Sequence, residues 1–541
     1  MTSSLRWLDL AVVGVYLAAM AWMGLRFARR QTSTERYFVA QRSIPGWAMG
    51  MSLFATLISS VTFIAYPGSA YAGNWSELVP GLMVIPVLLV AGLVIIPFYR
   101  RVVGMSAYEY FGKRFGYGAR AFSSFAFAIG HFSKLGFVFY LVALTVHSMT
   151  GWDVYLVTII MGVVTVFYTY LGGLEAVIWT DVVQGFICFI GIFICLGFLL
   201  FLPPGGPGAA FQLAWENGKF SLGILDFDLA KKGFWVMTFY GVFWYLQKYG
   251  ADQTVVQRYL VTKSDSQAIK GATLGALLCV PVWTLFMLIG TLLWSFYRLT
   301  GETFPAHISK ADQIFPWFLS THIPPGLAGL FMASLFAAAM STLASDLNCL
   351  SVVGVEDYYR KLKRDTTDAQ RLRLGKILVA VFGASSTLLA LVLARYTENA
   401  LSLYFTFTSI LSAGLFGLFF LAFFSARANA LGVWAGIIAC LLFTAYATLT
   451  QGKEQLLDLG RFNFKLPGVM IGVVGHLVLM VVGYAASRCF PASGVGGREL
   501  TVWGWLERRR RQTARGSPEV PGIGEHEPSL VKLRKLEGGT R

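Results

Sequence analysis

Residues 337–346 read Ala-Ala-Ala-Met-Ser-Thr-Leu-Ala-Ser-Asp, and this stretch decides the class of fold. It lies inside an apolar run, 325–351, that is long enough to cross a lipid bilayer as a helix. Its small side chains let neighbouring helices approach closely. Three hydroxyls and the Asp346 carboxylate stand at membrane depth, where an ionisable group is costly and suggests an ion or solute path. Such hydroxyls also bond back to carbonyls of their own helix. The cluster therefore indicates an ion site only if a second polar segment elsewhere in the chain accompanies it.

The composition predicts a multi-pass membrane protein embedded in a lipid bilayer. Of the 541 residues, 56% are hydrophobic and 13% are charged, and the mean hydropathy is +0.62; a soluble protein of this length has no need for so much apolar surface. The net charge of +16 does not indicate nucleic acid, because the basic residues lie in short loops and in the tail. The oligomeric state stays open.

Sequence motifs that carry catalytic chemistry are missing. There is no Gly-x-x-x-x-Gly-Lys-Ser/Thr phosphate loop, no His-Glu-x-x-His pattern and no Gly-x-Ser-x-Gly elbow. The six cysteines show neither metal spacing nor a disulfide framework. We therefore expect neither an ATP-driven pump nor an enzyme, and no organic cofactor.

Thirteen apolar runs are long enough to be membrane spans. Alternating the loops puts the basic ones, 28–44, 100–117 and 352–374, on one side together with the tail. By the positive-inside rule this predicts a plasma-membrane protein with its N-terminus outside and its C-terminus in the cytoplasm. The predicted spans are 7–27, 45–72, 77–99, 118–149, 153–171, 174–203, 233–251, 271–297, 325–351, 375–394, 400–425, 428–449 and 466–488.

Two of these spans carry polar breaks. The second has hydroxyls at mid-membrane and then Pro67-Gly68, and the seventh has a polar stretch at 244–253. Interrupted helices form binding sites in transporters, although a packing kink would also explain a Pro-Gly pair. Spans two and seven are five apart, which suits two inverted five-helix repeats. The predicted organisation is a first helix and loop (1–44), first repeat (45–203), external loop (204–231), second repeat (232–425), two further helices (426–490) and a basic, partly disordered tail (491–541).

Four segments resemble a known family. They are 55–59 (Ala-Thr-Leu-Ile-Ser), 170–184, 256–260 (Val-Gln-Arg-Tyr-Leu) and 340–345 (Met-Ser-Thr-Leu-Ala-Ser). The second contains Gly-Gly-Leu-x-Ala-Val-x-Trp-Thr-Asp-Val-x-Gln, which is quite specific. Together they resemble the sodium:solute symporter family. The resemblance implies an all-α LeuT-type fold with discontinuous helices, and sodium-coupled import of a small organic solute by alternating access, with Na⁺ as the coupling ion.

The resemblance also implies ion sites. The family's second sodium site would use Asp181, Ser341 and Ser345, but Ala344 replaces one of its hydroxyls. Asp181 has the alternative role of a structural acceptor or counter-ion. The main sodium site would use the carbonyls of Ala55, Ile58 and Ala338 and the side chains of Ser341 and Thr342.

Lys134 in the fourth span is the candidate anchor for the solute. A lysine at this depth needs an acidic partner, a wet cavity or a bound anion. The position of Lys134 resembles that of an arginine in the family's sialic acid branch, which grips the carboxylate of the solute. Pairing with Asp181 or Asp346 is the structural alternative. Val61 stands where sugar-transporting members carry an acidic or amide side chain, which favours an anionic solute such as an acidic sugar or carboxylate. The other predicted solute-binding residues are Ser59, Thr62, Trp244 and Tyr245.

Other functions remain open at this point. A neutral sugar or an amino acid is the alternative solute. Polar helix cores also line pores, so an ion channel is an alternative of another class, as is a solute sensor that no longer transports.

Overall fold

The computed structural model describes residues 7–306, 308, 310–395, 413–452, 455–490 and 498–514. These residues form helices and loops, with one isolated bridge between Ile44 and Thr262. The principal helices are α1 (Trp7–Ala28), α2 (Gly46–Leu57), α3 (Ser60–Ala72), α4 (Trp75–Val102), α5 (Tyr117–Thr150), α6 (Val154–Phe201), α7 (Phe234–Ala251), α8 (Gln253–Leu260), α9 (Asp265–Thr300), α10 (Leu327–Leu362), α11 (Asp368–Leu393), α12 (Leu415–Phe424), α13 (Ala430–Thr450), α14 (Val469–Cys489) and α15 (Val502–Ala514).

In the described part of the chain, nine helices are long and apolar enough to cross a membrane, and the bent pair α2–α3 makes ten. The number is below thirteen for three reasons. Helix α6 covers two predicted spans, and α7, with Gln247 and Lys248 among its 18 residues, is not apolar enough to count as one. The predicted span 400–425 lies partly outside the described residues, with α12 as its described end.

The chain reverses direction inside α6, at Gly173. This residue has φ 56° and ψ −157°, and a Cβ there would stand 2.7 Å from the carbonyl oxygen of Tyr37, so glycine is required. Tyr168 and Gln184 interact across the turn, although a straight helix would separate them by about 24 Å. The two predicted spans, 153–171 and 174–203, are therefore the two arms of a hairpin.

The second span is broken between α2 and α3, which meet at an angle of 55°. The backbone is extended at Ile58 (φ −88°, ψ 111°) and at Ser59 (φ −110°, ψ 170°). The expectation that Pro67-Gly68 marks the break is wrong, because both residues lie inside α3. Their role is close packing: a Cβ on Gly290 of α9 would stand 2.2 Å from the Pro67 carbonyl oxygen.

A second break follows the seventh span. Helix α7 ends at Ala251, Asp252 is extended (φ −90°, ψ 120°), and α8 begins at Gln253. The Asp252 carboxylate caps α8 by accepting a hydrogen bond of 2.9 Å from the Thr254 N–H. The polar stretch 244–253 thus ends in the predicted interruption.

Candidate ion and solute sites

The break in the second span frees backbone carbonyls at membrane depth. In a continuous helix the Ala55 carbonyl would accept the Ser59 N–H, but that N–H points to Thr62 Oγ1 at 3.4 Å. The Ser341 hydroxyl of α10 replaces the Ser59 N–H as the donor to the Ala55 carbonyl, at a distance of 2.8 Å. Residues from two helices distant in sequence are thereby joined.

The five residues predicted for the main sodium site lie together. Ser341 Oγ and Thr342 Oγ1 stand 3.1 and 3.2 Å from the Ala338 carbonyl oxygen. Ala55, Ile58, Ala338 and Ser341 line a cavity of about 10 Å³, which is about the volume that one water-sized sphere occupies. Carbonyl and hydroxyl oxygens without a thiolate or imidazole suit a hard cation.

Arg258 of α8 forms a second polar cluster, which the sequence analysis missed. Its guanidinium is fully buried and meets Asp181 Oδ2 at 3.3 Å. Asp181 also accepts a hydrogen bond of 2.5 Å from Ser52. An isolated arginine just beyond a broken span was the signal that could have revealed this cluster. The other acceptors of Arg258 are Ser345 Oγ (2.5 Å), Thr56 Oγ1 (2.6 Å), Ser52 Oγ (3.0 Å) and the Thr254 carbonyl (2.5 Å).

The Arg258 cluster occupies the place expected for a second sodium ion. Of the predicted ligands, Asp181 and Ser345 both contact the guanidinium, whereas Ser341 points to Ala55. In this conformation Asp181 is the counter-ion of Arg258, which is the structural alternative that the sequence left open.

Lys134 belongs to a third polar group, which we call the five-residue charge cluster. Lys134 Nζ stands 2.7 Å from Asp346 Oδ2, and the other Asp346 oxygen lies 2.8 Å from His131 Nδ1. His131 Nε2 continues to Asp252 Oδ2 at 3.2 Å, and Lys248 Nζ completes the chain at 2.6 Å from the same oxygen. Pairing with Asp346, one of two alternatives for Lys134, is thus present. The sequence analysis missed His131 as a member.

The remaining predicted solute-binding residues lie at the start of α3 and on α7. Ser59 and Thr62 lie at the start of α3; the side chain of Val61 lies outside the described residues. Tyr245 is buried and packs against Trp283, with ring centroids 6.1 Å apart. Its neighbour Trp244 instead lines a cavity of about 470 Å³ between α7, α13 and α14. The two rings nevertheless contact each other edge to face, with centroids 4.8 Å apart.

A broken helix whose freed carbonyls face a hydroxyl-rich partner, in an all-helical chain with many apolar spans, defines an ion-coupled secondary transporter. The model of the sodium:solute symporter family matches residues 37–440, and the chain belongs to that family.

Relatives extend this assignment over nearly the full chain. The sodium/sialic acid symporter NanT of Aliivibrio fischeri is 32% identical, with 92% of this chain and 96% of that protein covered. SiaT of Proteus mirabilis, also a sodium/sialic acid symporter, is 30% identical over 89% of this chain and 95% of its own. A solved structure of a substrate-bound, outward-open Na⁺-coupled sialic acid symporter is 30% identical, with a TM-score of 0.83, and 91% of this chain and 100% of that chain are covered.

These matches confirm the LeuT-type fold and the prediction of a sodium-coupled symporter. The protein is a multi-pass membrane transporter, not an enzyme; it uses Na⁺ as its coupling ion and carries a small-molecule substrate.

Proposed function

We propose that this protein imports an anionic solute, an acidic sugar or a carboxylate, together with sodium, and that sialic acid is the first solute to test. The observation that carries the proposal is the contact between Ser341 of α10 and the freed Ala55 carbonyl of α2. It joins the discontinuous helix to its partner at a cavity of ion size. The names of the two bacterial relatives supply the solute class.

Sodium binds, in this proposal, to the Ala55, Ile58 and Ala338 carbonyls and to the Ser341 and Thr342 hydroxyls. The cation would replace the Ser341 hydrogen atom as the partner of the Ala55 carbonyl, so the hydroxyl turns its lone pairs toward the ion. Because α2 and α10 both supply ligands, an occupied site favours the arrangement in which they stay together. Differential affinity of this kind couples ion binding to a conformational equilibrium.

The solute carboxylate binds, in this proposal, at Lys134. The Lys134 side chain is 35% exposed, whereas its partner Asp346 is fully buried. The amine therefore keeps donors that can reach an anion without leaving the carboxylate. Lysine offers a point charge in place of the bidentate fork of arginine. Ser59 and Thr62 at the start of α3 supply hydroxyl contacts, and Trp244 and Tyr245 remain candidates for the opposite wall.

The Lys134–Asp346 pair also favours a second candidate function. The positive charge of Lys134 is already balanced by the buried Asp346 carboxylate at 2.7 Å, so an anionic solute is not required to balance it. A neutral sugar or an amino acid is therefore the alternative substrate.

Placement in the cell follows from charge. We infer a plasma-membrane location, with the N-terminus outside and the C-terminus in the cytoplasm, from the basic loops 28–44, 100–117 and 352–374. The division into repeats at 45–203 and 232–425 is likewise part of this proposal.

The test is sodium-driven uptake of radiolabelled sialic acid into proteoliposomes that contain the purified protein. The double variant Ser341→Ala, Thr342→Ala should lose the sodium dependence of uptake. The control is Ser334→Ala on the same helix, because the Ser334 hydroxyl bonds the Ile187 carbonyl at 2.8 Å; it should keep the wild-type sodium curve. A double variant with an unchanged sodium curve would show that the assigned site is wrong. Sodium-driven uptake of a neutral sugar but not of sialic acid would establish the second candidate.

A further inference from the structure

The five-residue charge cluster contains a histidine held between two carboxylates. His131 of α5 meets Asp346 of α10 through Nδ1 at 2.8 Å and Asp252, beyond α7, through Nε2 at 3.2 Å. All three side chains are buried or nearly so. Since the proposed sodium and solute sites involve neither ring nitrogen, the arrangement calls for its own explanation.

The hydrogen bonds of the cluster indicate how many protons its side chains carry. An ionised carboxylate only accepts hydrogen bonds, and a neutral imidazole has one donor and one acceptor nitrogen. Lys134 adjoins Asp346 and Lys248 adjoins Asp252, and an ammonium at that distance favours the ionised carboxyl group. A neutral His131 would therefore turn a lone pair toward one carboxylate. Only the imidazolium, with two N–H groups, satisfies both contacts.

We propose that His131 is a proton-binding site that ties α5 and α10 to the break after α7. The ligand is one proton from the aqueous phase, bound in addition to sodium and the solute. The protonated cluster has three cationic and two anionic side chains, a net charge of +1. Separation of His131 from Asp252 removes one of the two carboxylates that stabilise the imidazolium and therefore favours release of the proton.

Among the residues that the structure describes, those around His131 add no charge beyond that of the cluster. Its ring stacks on Phe127, with centroids 4.0 Å apart. The nearby phenol of Tyr108 and thiol of Cys349 are buried, which favours their neutral forms. In the described part of the chain, the charged groups at this site are those of the cluster itself: Asp346 from α10, Asp252 and Lys248 from the end of α7, and Lys134 from the same helix as His131.

The protonation state is measured directly by ¹⁵N NMR of the imidazole nitrogens in the purified, histidine-labelled protein, without any solute. The His131 signals are assigned by their loss in His131→Gln. At about pH 7.5 an unperturbed imidazole is neutral, but His131 should be an imidazolium. In Asp252→Asn it should become neutral at the same pH, because an amide group can donate to one nitrogen. His147 near the end of the same helix is the internal control, because its Nδ1 contact with the Trp152 carbonyl at 2.6 Å needs only one N–H donor.

A neutral His131 in the wild-type protein would overturn the proposal, and so would an imidazolium that persists unchanged in Asp252→Asn. This measurement stands apart from the proposed function, since it requires neither transport nor the correct solute. In proteoliposomes that take up sialic acid, His131→Gln should flatten the dependence of uptake on pH, and His147→Gln should keep it. A pH profile that His131→Gln leaves unchanged would contradict a role for this proton in transport.

Discussion

The Arg258 cluster and the five-residue charge cluster are both buried ionic groups next to a helix break, but they are built differently. Arg258 is fully buried, and its guanidinium has oxygen partners on α2, α6, α8 and α10. The charge cluster is a linear chain with a partly exposed lysine, Lys134, at one end. It is also the cluster that contains a titratable histidine.

This difference indicates which of the two clusters can change its charge or its bonding partners during transport. A guanidinium is charged at every accessible pH and makes planar, directional bonds, so the Arg258 cluster has one stable arrangement. The charge cluster can lose a proton at His131 or exchange the partner of Lys134 for a solute carboxylate. Stability should therefore depend mainly on Arg258, and transport mainly on Lys134 and His131.

The largest expected effect is on stability, from Arg258→Met. Removal of the guanidinium leaves the Asp181 carboxylate buried without its cation, which costs about 3–5 kcal/mol. Unfolding of the detergent-purified protein by denaturant measures this loss. Arg101→Met is the matched control, because Arg101 pairs with Asp265 at a partly exposed site, where ion pairs contribute about 0–1 kcal/mol. Equal losses in the two variants would contradict the contrast between the clusters.

A smaller effect is expected from Ser345→Ala. It removes one of several acceptors of Arg258, and a hydrogen bond to a charged group contributes about 1.5–3 kcal/mol. The stability should fall by that amount while the sodium curve of uptake stays unchanged, because the guanidinium already occupies the Ser345 oxygen. A shift of the sodium curve would instead establish Ser345 as a ligand of a second sodium ion.

The smallest of the three effects in free energy is expected from Lys134→Ala. Loss of the anchor should weaken binding of an anionic solute about tenfold, or about 1.4 kcal/mol, with the fold retained. Solute-dependent thermal stabilisation in the presence of sodium measures this affinity. Lys134→Arg keeps the charge and should restore binding. Unaltered affinity in the alanine variant would leave Lys134 with only its structural pairing to Asp346.

The sequence was sufficient to predict that the five residues of the proposed main sodium site lie together, because they fall in two short segments. Ser341 and Thr342 belong to one turn of α10, and Ala55 lies in the last turn of α2, three residues before Ile58 at the break. Each group of ligands is therefore recognisable within a short stretch of sequence. The packing role of Pro67 was not predictable in the same way. A Pro-Gly pair marks a break or a kink equally well, and only the approach of Gly290 decides between them.

Composition, hydrophobic runs and short motifs by themselves determined that this chain is an all-helical membrane transporter with a discontinuous second span, because membrane insertion depends on local hydrophobicity. Tertiary structure alone decided the partners of the buried charges. Arg258 meets Asp181, and His131 bridges Asp346 and Asp252, across 77, 215 and 121 residues of sequence. A buried charge is stabilised by whatever opposite charge the packing brings within a few ångströms, and such pairings carry no sequence spacing.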